Sequence, residues 1–309
     1  MEFIEGGIIM IDVVVIGGGP AGMSTALVVG RGKKNVVLID ENKPRNAVTK
    51  ESHAFLTRDN IEPAVFKEKG RRDLLRYPTI SIKDGRVLTI EKNEQELFEL
   101  TTENREVFQA KNVVITTGLK ETLPAVSGIE NYYGTSLFSC PFCDGWEMKD
   151  KPLILIAESA QALHVTKLLK NWTDDLIVTT NGNSVFDANQ KKALELNHIR
   201  LIEEEITELK GNNGELQSVT FKSGEEVERS GGFCTTTLDN KLPFIEQLGI
   251  EVNEAGYIIA DMMGHTNIKG IYAAGEITGP SQLIVSASQG HMTGIGIIAD
   301  SCEEAFQNT

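Results

Sequence analysis

The stretch Gly17-Gly18-Gly19-Pro20-Ala21-Gly22 constrains the fold more than any other in the chain. It follows an apolar run, Ile11 to Ile16, that reads as a buried parallel strand. A helical pattern runs from Met23 to about Gly30, and a second strand from Asn35 to Ile39 ends at Asp40-Glu41. Strand, glycine turn, helix, strand and acid, in that order, are the layout of a dinucleotide site. Gly17 permits the tight turn, Gly19 lets the backbone approach a pyrophosphate, and Gly22 lets the helix pack on the strand. Pro20 and Ala21 complete the turn, and the helix N-terminus offers unpaired N–H groups to phosphates. Asp40, with Glu41 beside it, stands about 20 residues on and can hold ribose hydroxyls. A glycine-rich turn without a ligand would need all these features in register by coincidence.

The second chemical signal is Cys140-Pro141-Phe142-Cys143-Asp144-Gly145. Two cysteines separated by two residues can close a disulfide and reopen it, and such a turn can lower a thiol pKa below the usual ~8.5. Asp144 follows at once, where a carboxyl can give and take the proton of the exchange. The same spacing serves half a zinc site, which needs four ligands. Cys234 and Cys302 stand alone, and neither His198 nor His265 has a histidine three to five residues away, so no metal site is expected.

At 309 residues the chain is long enough for two domains. The formal charge of −14, with no basic tract, argues against nucleic-acid binding through phosphate neutralisation. Four cysteines, two of them solitary, fit a reducing, cytoplasmic compartment with one catalytic pair. No run reaches the ~18 apolar residues of a membrane span, so no membrane is expected. Met1 to Met10 lacks a basic n-region and a cleavage site; residues 1–9 are expected to be a dispensable extension.

Val113 to Thr116 is a further apolar strand ending in Thr117-Gly118. Gly270 to Glu276 reads as a strand ending in glycine and an acid, with a helix expected from about Ile284 to Phe306. With these motifs the chain resembles the low-molecular-weight thioredoxin reductase superfamily over essentially its whole length. The resemblance implies an α/β fold of two nested Rossmann-like three-layer domains. An FAD domain, 1–118 joined to 240–309, would be interrupted by a pyridine-nucleotide-like domain, 119–239, carrying the cysteine pair. It also implies a homodimer and FAD as cofactor. Thr116-Thr117-Gly118 stands for the family's Ala-Thr-Gly, and Gly275-Glu276 for its Gly-Asp, with Glu in place of the usual Asp. The cofactor-binding set it implies also includes Arg45, Asn46, His53, Val87, Gln282, Leu283 and Ile284. His291 would likewise lie near the flavin.

Pro44-Arg45-Asn46, the run His53 to Asp59, and Gly145-Trp146-Glu147 narrow the likeness to the branch holding the dithiol oxidases of holomycin and gliotoxin biosynthesis. That branch often has His after the second cysteine; Asp144 is the residue of thioredoxin reductases. The resemblance implies that Cys143 exchanges electrons with the flavin, that Cys140 forms the mixed disulfide, and that Asp144 moves the proton.

In the insert, Leu153 to Ala157 and Leu176 to Thr180 read as strands flanking a helix over His164 to Lys170. The nucleotide fingerprint expected there is degraded. The glycine turn reads Ala157-Glu158-Ser159-Ala160-Gln161-Ala162, whose side chains restrict close backbone approach. Glu158 would set a carboxylate beside a pyrophosphate. The arginines that grip a 2′-phosphate are replaced by Thr179-Thr180-Asn181-Gly182-Asn183. Ordinary NADPH use is therefore doubtful.

Ile199 to Leu209 and Leu216 to Phe221 read as strands around the turn Gly211-Asn212-Asn213-Gly214. Glu203-Glu204-Glu205 reads as a solvated face. Cys234 and Cys302 read as small buried residues, Trp172 as core, Trp146 as core or a substrate platform, and Met262, Met263 and Met292 as gap-filling residues.

The expected function is FAD-dependent thiol–disulfide exchange at Cys140 and Cys143 on a small dithiol or a thioredoxin-like protein. Oxygen or ferredoxin would be the electron partner. A conventional NADPH-dependent thioredoxin reductase and a non-catalytic flavin redox sensor are the alternatives.

Overall fold

The computed structural model describes residues 10–159, 161–240 and 242–307. Residues 1–9 and Ala160, on which two expectations fall, lie outside the described residues. The chain divides into two compact units. The first comprises residues up to Arg45, Ala64–Lys120 and those from Asp239 onward; the second comprises Asn46–Pro63 and Glu121–Leu238. The expected division put residues 46–63 with the first domain, whereas they pack with the second unit.

The first unit begins with β1 (Met10–Ile16), α1 (Pro20–Arg31) and β2 (Val36–Asp40). These are followed by α2 (Pro63–Leu74), β3 (Ile80–Asp84), β4 (Val87–Lys92), β5 (Phe98–Thr102) and β6 (Val107–Ile115). β1 lies between β2 and β6, all parallel, and β3 extends the sheet beyond β2. The first half of β6 also pairs with β5, which pairs with β4, both antiparallel. Val13, Val14 and Val15 are fully buried, as a parallel strand covered on both faces requires. Each such side chain contributes about 1.5–3 kcal/mol of burial.

The chain leaves this unit along β7 (Lys120–Thr122) and returns along β16 (Thr237–Asp239), two strands that pair with each other. Between them lie β8 (Leu137–Phe138), α3 (Pro141–Asp144), β9 (Leu153–Ile156), α4 (Ala162–Leu169), β10 (Leu176–Thr179), α5 (Ala188–Leu196) and β11 (Arg200–Ile202). Then come β12 (Ile206–Asn212), β13 (Glu215–Phe221), β14 (Glu226–Glu228) and β15 (Gly232–Cys234). The second unit holds a parallel sheet in the order β11-β10-β9-β15-β8 and an antiparallel sheet β12-β13-β14.

In its last segment the first unit adds α6 (Pro243–Gln247), β17 (Ile271–Ala273) and the long α7 (Leu283–Gln307). β17 runs parallel to the second half of β6. α7 crosses α1 closely: a Cβ on Gly290 would lie 2.0 Å from the Ala21 carbonyl oxygen. The Thr25 hydroxyl donates across this contact to the Gly290 carbonyl at 2.9 Å.

Several expectations need correction. The strand expected over Ile199 to Leu209 is two strands in two sheets, β11 and β12, because the chain breaks at residues 203–205. The hairpin turn is only Asn213-Gly214, both with positive φ (52° and 82°), since Asn212 pairs with Glu215. Cys302 is exposed, not buried. Met262 is 87% exposed and fills no gap. α5, which was not expected, starts with a capping box between Asp187 and Gln190. The run Glu203 to Glu205 is a solvated face, with Glu203 paired to Lys191 and Glu205 to Lys222.

Candidate functional site

At the end of β1 the backbone of Gly17 adopts φ 104°, a conformation only glycine takes without strain. A Cβ on Gly22 would lie 1.9 Å from the Gly17 carbonyl oxygen, so α1 seats tightly on this turn. Gly19 is the N-cap of α1, with no side-chain cap, and Pro20 begins the helix. Nothing lies within 4 Å of a Cβ built on Gly19. Unpaired helix N–H groups, open space and no acid in the first turn make a cradle fit for a pyrophosphate.

Asp40, buried at the end of β2, accepts a hydrogen bond from the Gly18 amide at 3.0 Å. Lys67 on α2 sets its ammonium 2.5 Å from Asp40 Oδ2 and donates to Asn42 Oδ1 at 2.8 Å. The glycine motif does not announce Lys67, because α2 has no part in that motif. Glu41 is exposed. On the same unit, Arg45 Nη2 lies 2.5 Å from Glu276 Oε1. A Cβ on Gly118 would meet only Glu276, at 4.0 Å. Gly275, at φ 81°, donates its amide to Gln289 Oε1 at 3.1 Å. Thr117 is exposed beside Gly118, and Gln282, Leu283 and Ile284 form the entry to α7. Val87 is buried at the start of β4. His291 is exposed on α7. Asn46 and His53, grouped with these residues by sequence, belong to the second unit.

In the second unit, Cys140 and Cys143 form a disulfide, with Cα atoms 5.3 Å apart. Cys140 is the N-cap of the single turn α3, and Pro141 presets the first helical residue. The Cys143 and Asp144 amides both return to the Cys140 carbonyl. Gly145 follows because a Cβ there would lie 2.4 Å from the Pro141 carbonyl oxygen and 2.7 Å from the Trp172 ring. Phe142 meets Trp172 edge-on, with centroids 6.0 Å apart. Phe142 and Trp146 are exposed beside the cysteines, and the Lys149 ammonium sits 3.4 Å over the Trp146 ring centre.

Asp144 is only 8% exposed. Burial pushes its carboxyl up to about 7; His53 opposes that rise and Glu147 adds to it. A carboxyl poised near neutrality can both give and take a proton. Beyond the disulfide, the Tyr133 hydroxyl donates to Glu121 Oε2 at 2.7 Å and lies 2.9 Å from Ser139 Oγ. Burial and Glu121 hold that phenol above its ordinary pKa.

At the C-terminal ends of β9 and β10, Glu158 Oε1 accepts from Asn181 Nδ2 at 2.6 Å. Asn181 Oδ1 accepts from the Ile206 amide at 2.9 Å. α4 begins with no side-chain cap. Cys234, at the end of β15, is buried, and burial, Glu121 and Glu158 push its thiol up to about 12, which makes it inert. Among the described residues no cluster of three His, Cys, Asp or Glu can hold a metal ion, and no helix is long and apolar enough to cross a membrane.

Residues 11–290 match the family described as pyridine nucleotide-disulphide oxidoreductase. The chain belongs to this family. The crystal structure of a protein assigned as thioredoxin reductase TrxB from Bacillus anthracis is similar, at 44% identity over 95% of this chain and 99% of that one, with a TM-score of 0.92. The crystal structure of HlmI is 29% identical over 99% of this chain and 96% of that one, also with a TM-score of 0.92. A protein named as a probable thioredoxin reductase from Arthroderma benhamiae is 36% identical over 176 residues, 55% of this chain and 44% of its own length. This family member is therefore an enzyme of thioredoxin reductase-like kind, with the two-domain Rossmann-like fold. The family implies a flavin, and thiols or disulfides as substrates.

Proposed function

We propose that the protein is an FAD-dependent thiol–disulfide oxidoreductase that works through Cys140 and Cys143 and does not take its electrons from NADPH in the ordinary way. The observation that carries this reading is the Cys140–Cys143 disulfide directly followed by a buried carboxyl held near neutrality. Cys140 takes the mixed disulfide with the substrate, Cys143 is the inner thiol, and Asp144 accepts the proton of the attacking thiol.

The cradle at Gly17, Gly19 and Gly22 would receive the FAD pyrophosphate, with Asp40 on the adenosine ribose and Glu276 toward the ribityl chain. Arg45 orients Glu276 through their ion pair, and Lys67 offsets the charge of Asp40. FAD, when bound, supplies a two-electron acceptor and donor for the cysteine pair. Val87, Thr117, Gly118, Gln282, Leu283 and Ile284 complete the set assigned to that cofactor.

The reading on NADPH rests on Glu158. Its carboxylate is fixed by Asn181 at the mouth of the second unit's sheet, where a pyrophosphate would meet negative charge instead of free amides. Ala157 and Ser159 occupy the other turn positions, and no arginine follows β10 to take a 2′-phosphate. The substrate is then a small dithiol, with oxygen as acceptor, or a thioredoxin-like protein, with ferredoxin as donor.

The 44% identity to a protein assigned as a thioredoxin reductase favours a second reading, an NADPH-dependent reductase that holds the nucleotide by other contacts. Anaerobic titration of the FAD-loaded protein separates the two. No bleaching with NADPH or NADH, followed by full bleaching with dithiothreitol, is the expected result. Rapid stoichiometric bleaching by NADPH overturns the first reading and establishes the second.

A further inference from the structure

Lys67 turns inward on a helix whose neighbouring charges, Glu68, Lys69 and Arg72, face solvent. Along α2, Lys67, Gly70 and Leu74 fall at i, i+3 and i+7 and so share one face. Leu74 is buried, and a Cβ on Gly70 would lie 2.4 Å from the Met23 sulfur on α1, so this face packs on the core of the first unit. The Arg72 side chain is 66% exposed and pairs with Glu68 on the helix surface. The Lys67 side chain is 13% exposed, and a lysine so enclosed needs a partner.

A lysine ammonium carries three N–H groups and no acceptor. One of those of Lys67 donates to Asn42 Oδ1 at 2.8 Å. Asp40 Oδ2 lies 2.5 Å away, but the approach falls outside hydrogen-bond alignment, so the two meet as charges. Asp40 Oδ1 is filled by the Gly18 amide at 3.0 Å. Asp40 Oδ2 is buried and accepts no hydrogen bond. A buried carboxylate oxygen in that state is costly until a donor fills it. The oxygen stands at the cradle: a Cβ on Gly18 would lie 2.6 Å from it. An unfilled acceptor and a spare ammonium N–H therefore meet beside the glycine turn.

A hydroxyl matches this pair. It has one O–H donor and two acceptor lone pairs; a carboxylate alone uses only the donor, whereas a carboxylate and an ammonium together use both. We propose that Lys67 is a direct cofactor contact, and that one ribose hydroxyl of the adenosine donates to Asp40 Oδ2 while accepting from Lys67 Nζ. This rests on the reading of Gly17 to Gly22 as the FAD cradle given above. It adds to that cradle a cation from α2, outside the glycine motif, and with it a selectivity. A site built around a ligand hydroxyl rejects the analogue that lacks it, because the buried groups are then left unpaired. Lys67 makes the ribose hydroxyl a requirement on two counts, as donor and as acceptor.

The test uses the full chain stripped of flavin, with FAD rebinding followed by flavin fluorescence and ADP, 2′-deoxy-ADP and 3′-deoxy-ADP as competitors. Wild type should hold ADP about tenfold or more tighter than at least one deoxy analogue. Lys67→Met should weaken ADP by about tenfold and that analogue by less than about twofold, because the hydroxyl that Lys67 holds is already missing from it. Lys67→Arg keeps a donor and the charge and should regain part of the loss. Asp40→Asn/Lys67→Met strands no buried charge, so it remains measurable where Lys67→Met folds poorly; it should narrow the wild-type gap to about threefold or less. Equal weakening of all three nucleotides in Lys67→Met overturns the contact and leaves Lys67 a neutralising charge. A wild type that binds FAD but shows no preference among the three also overturns the contact, and leaves the cofactor reading standing. A wild type that binds neither FAD nor ADP overturns the cofactor reading and the contact with it.

Discussion

Asn181 and Glu158 are joined by a 2.6 Å hydrogen bond that ties the end of β10 to the end of β9. The same asparagine accepts from the Ile206 amide at 2.9 Å and holds φ 50°, a region asparagine tolerates better than most residues. It thus fastens the turn after β9, the turn after β10 and the start of β12.

Asn181→Ala should therefore destabilise the second unit by about 1–3 kcal/mol, because it removes two hydrogen bonds and raises the cost of a left-handed backbone. Glu158→Gln keeps an oxygen that can accept and should cost less than about 1 kcal/mol. Urea denaturation of the two variants checks the order. Equal losses would mean that the Glu158 charge, not the asparagine bridge, holds these turns.

Gly19 and Gly22 of the cradle should separate folding from cofactor binding. Gly22→Ala forces a Cβ to within 1.9 Å of the Gly17 carbonyl oxygen and should destabilise the apoprotein by about 1–3 kcal/mol. Gly19→Ala meets nothing within 4 Å, and should leave apoprotein stability within about 0.5 kcal/mol of wild type. It should nonetheless weaken FAD binding, because its Cβ stands where the pyrophosphate approaches. Thermal melts without FAD and flavin-fluorescence titration read the two effects independently.

The contrast between those glycines also shows what the sequence makes legible. Gly17 to Gly22 is local, and its backbone demands are written in consecutive residues, so strand, turn and helix could be read directly. Cys140 to Gly145 is legible for the same reason. Lys67 against Asp40 and His53 against Glu147 are pairings across 27 and 94 positions by residue number, and no local period marks them. The break between β11 and β12 escaped because one β-rich run serves two sheets, and which sheet takes each half is decided by tertiary packing. Met262 and Cys302 escaped because a side chain's type does not report which face of its element meets solvent.

His265 forms a clamp in the first unit. Its Nδ1 lies 2.9 Å from Asp261 Oδ2 and its Nε2 2.9 Å from Asp300 Oδ2, and Tyr272 donates to the same Asp300 oxygen at 2.5 Å. Partial burial opposes protonation, but the hydrogen bonds and charges of Asp261 and Asp300 outweigh it and raise the pKa above its usual value. A raised histidine contributes stability that is full below its unfolded pKa of ~6.5 and is lost as pH rises through the folded value. His265→Gln should therefore lower the melting temperature more at pH 6 than at pH 9. A deficit independent of pH would show that the ring acts through packing alone.

Asp144 should carry the opposite balance between activity and stability. Its folded pKa of about 7 lies above the ~3.9 of an unfolded carboxyl. Between those values the folded state binds more proton than the unfolded state, so stability falls as pH rises from about 4 to about 7 and then levels. Asp144→Asn cannot ionise and should escape that loss. It should resemble wild type near pH 4 and exceed it at pH 8 by up to about 4 kcal/mol, the upper bound from a shift of roughly three units. The same substitution removes the proton acceptor and should slow thiol–disulfide exchange by about 100-fold or more. Urea midpoints at the two pH values, set beside bleaching rates with dithiothreitol, measure both sides. A variant no more stable at pH 8 than wild type would place the Asp144 carboxyl in a better-solvated setting than its 8% exposure gives it, and would remove the basis for its titration near neutrality.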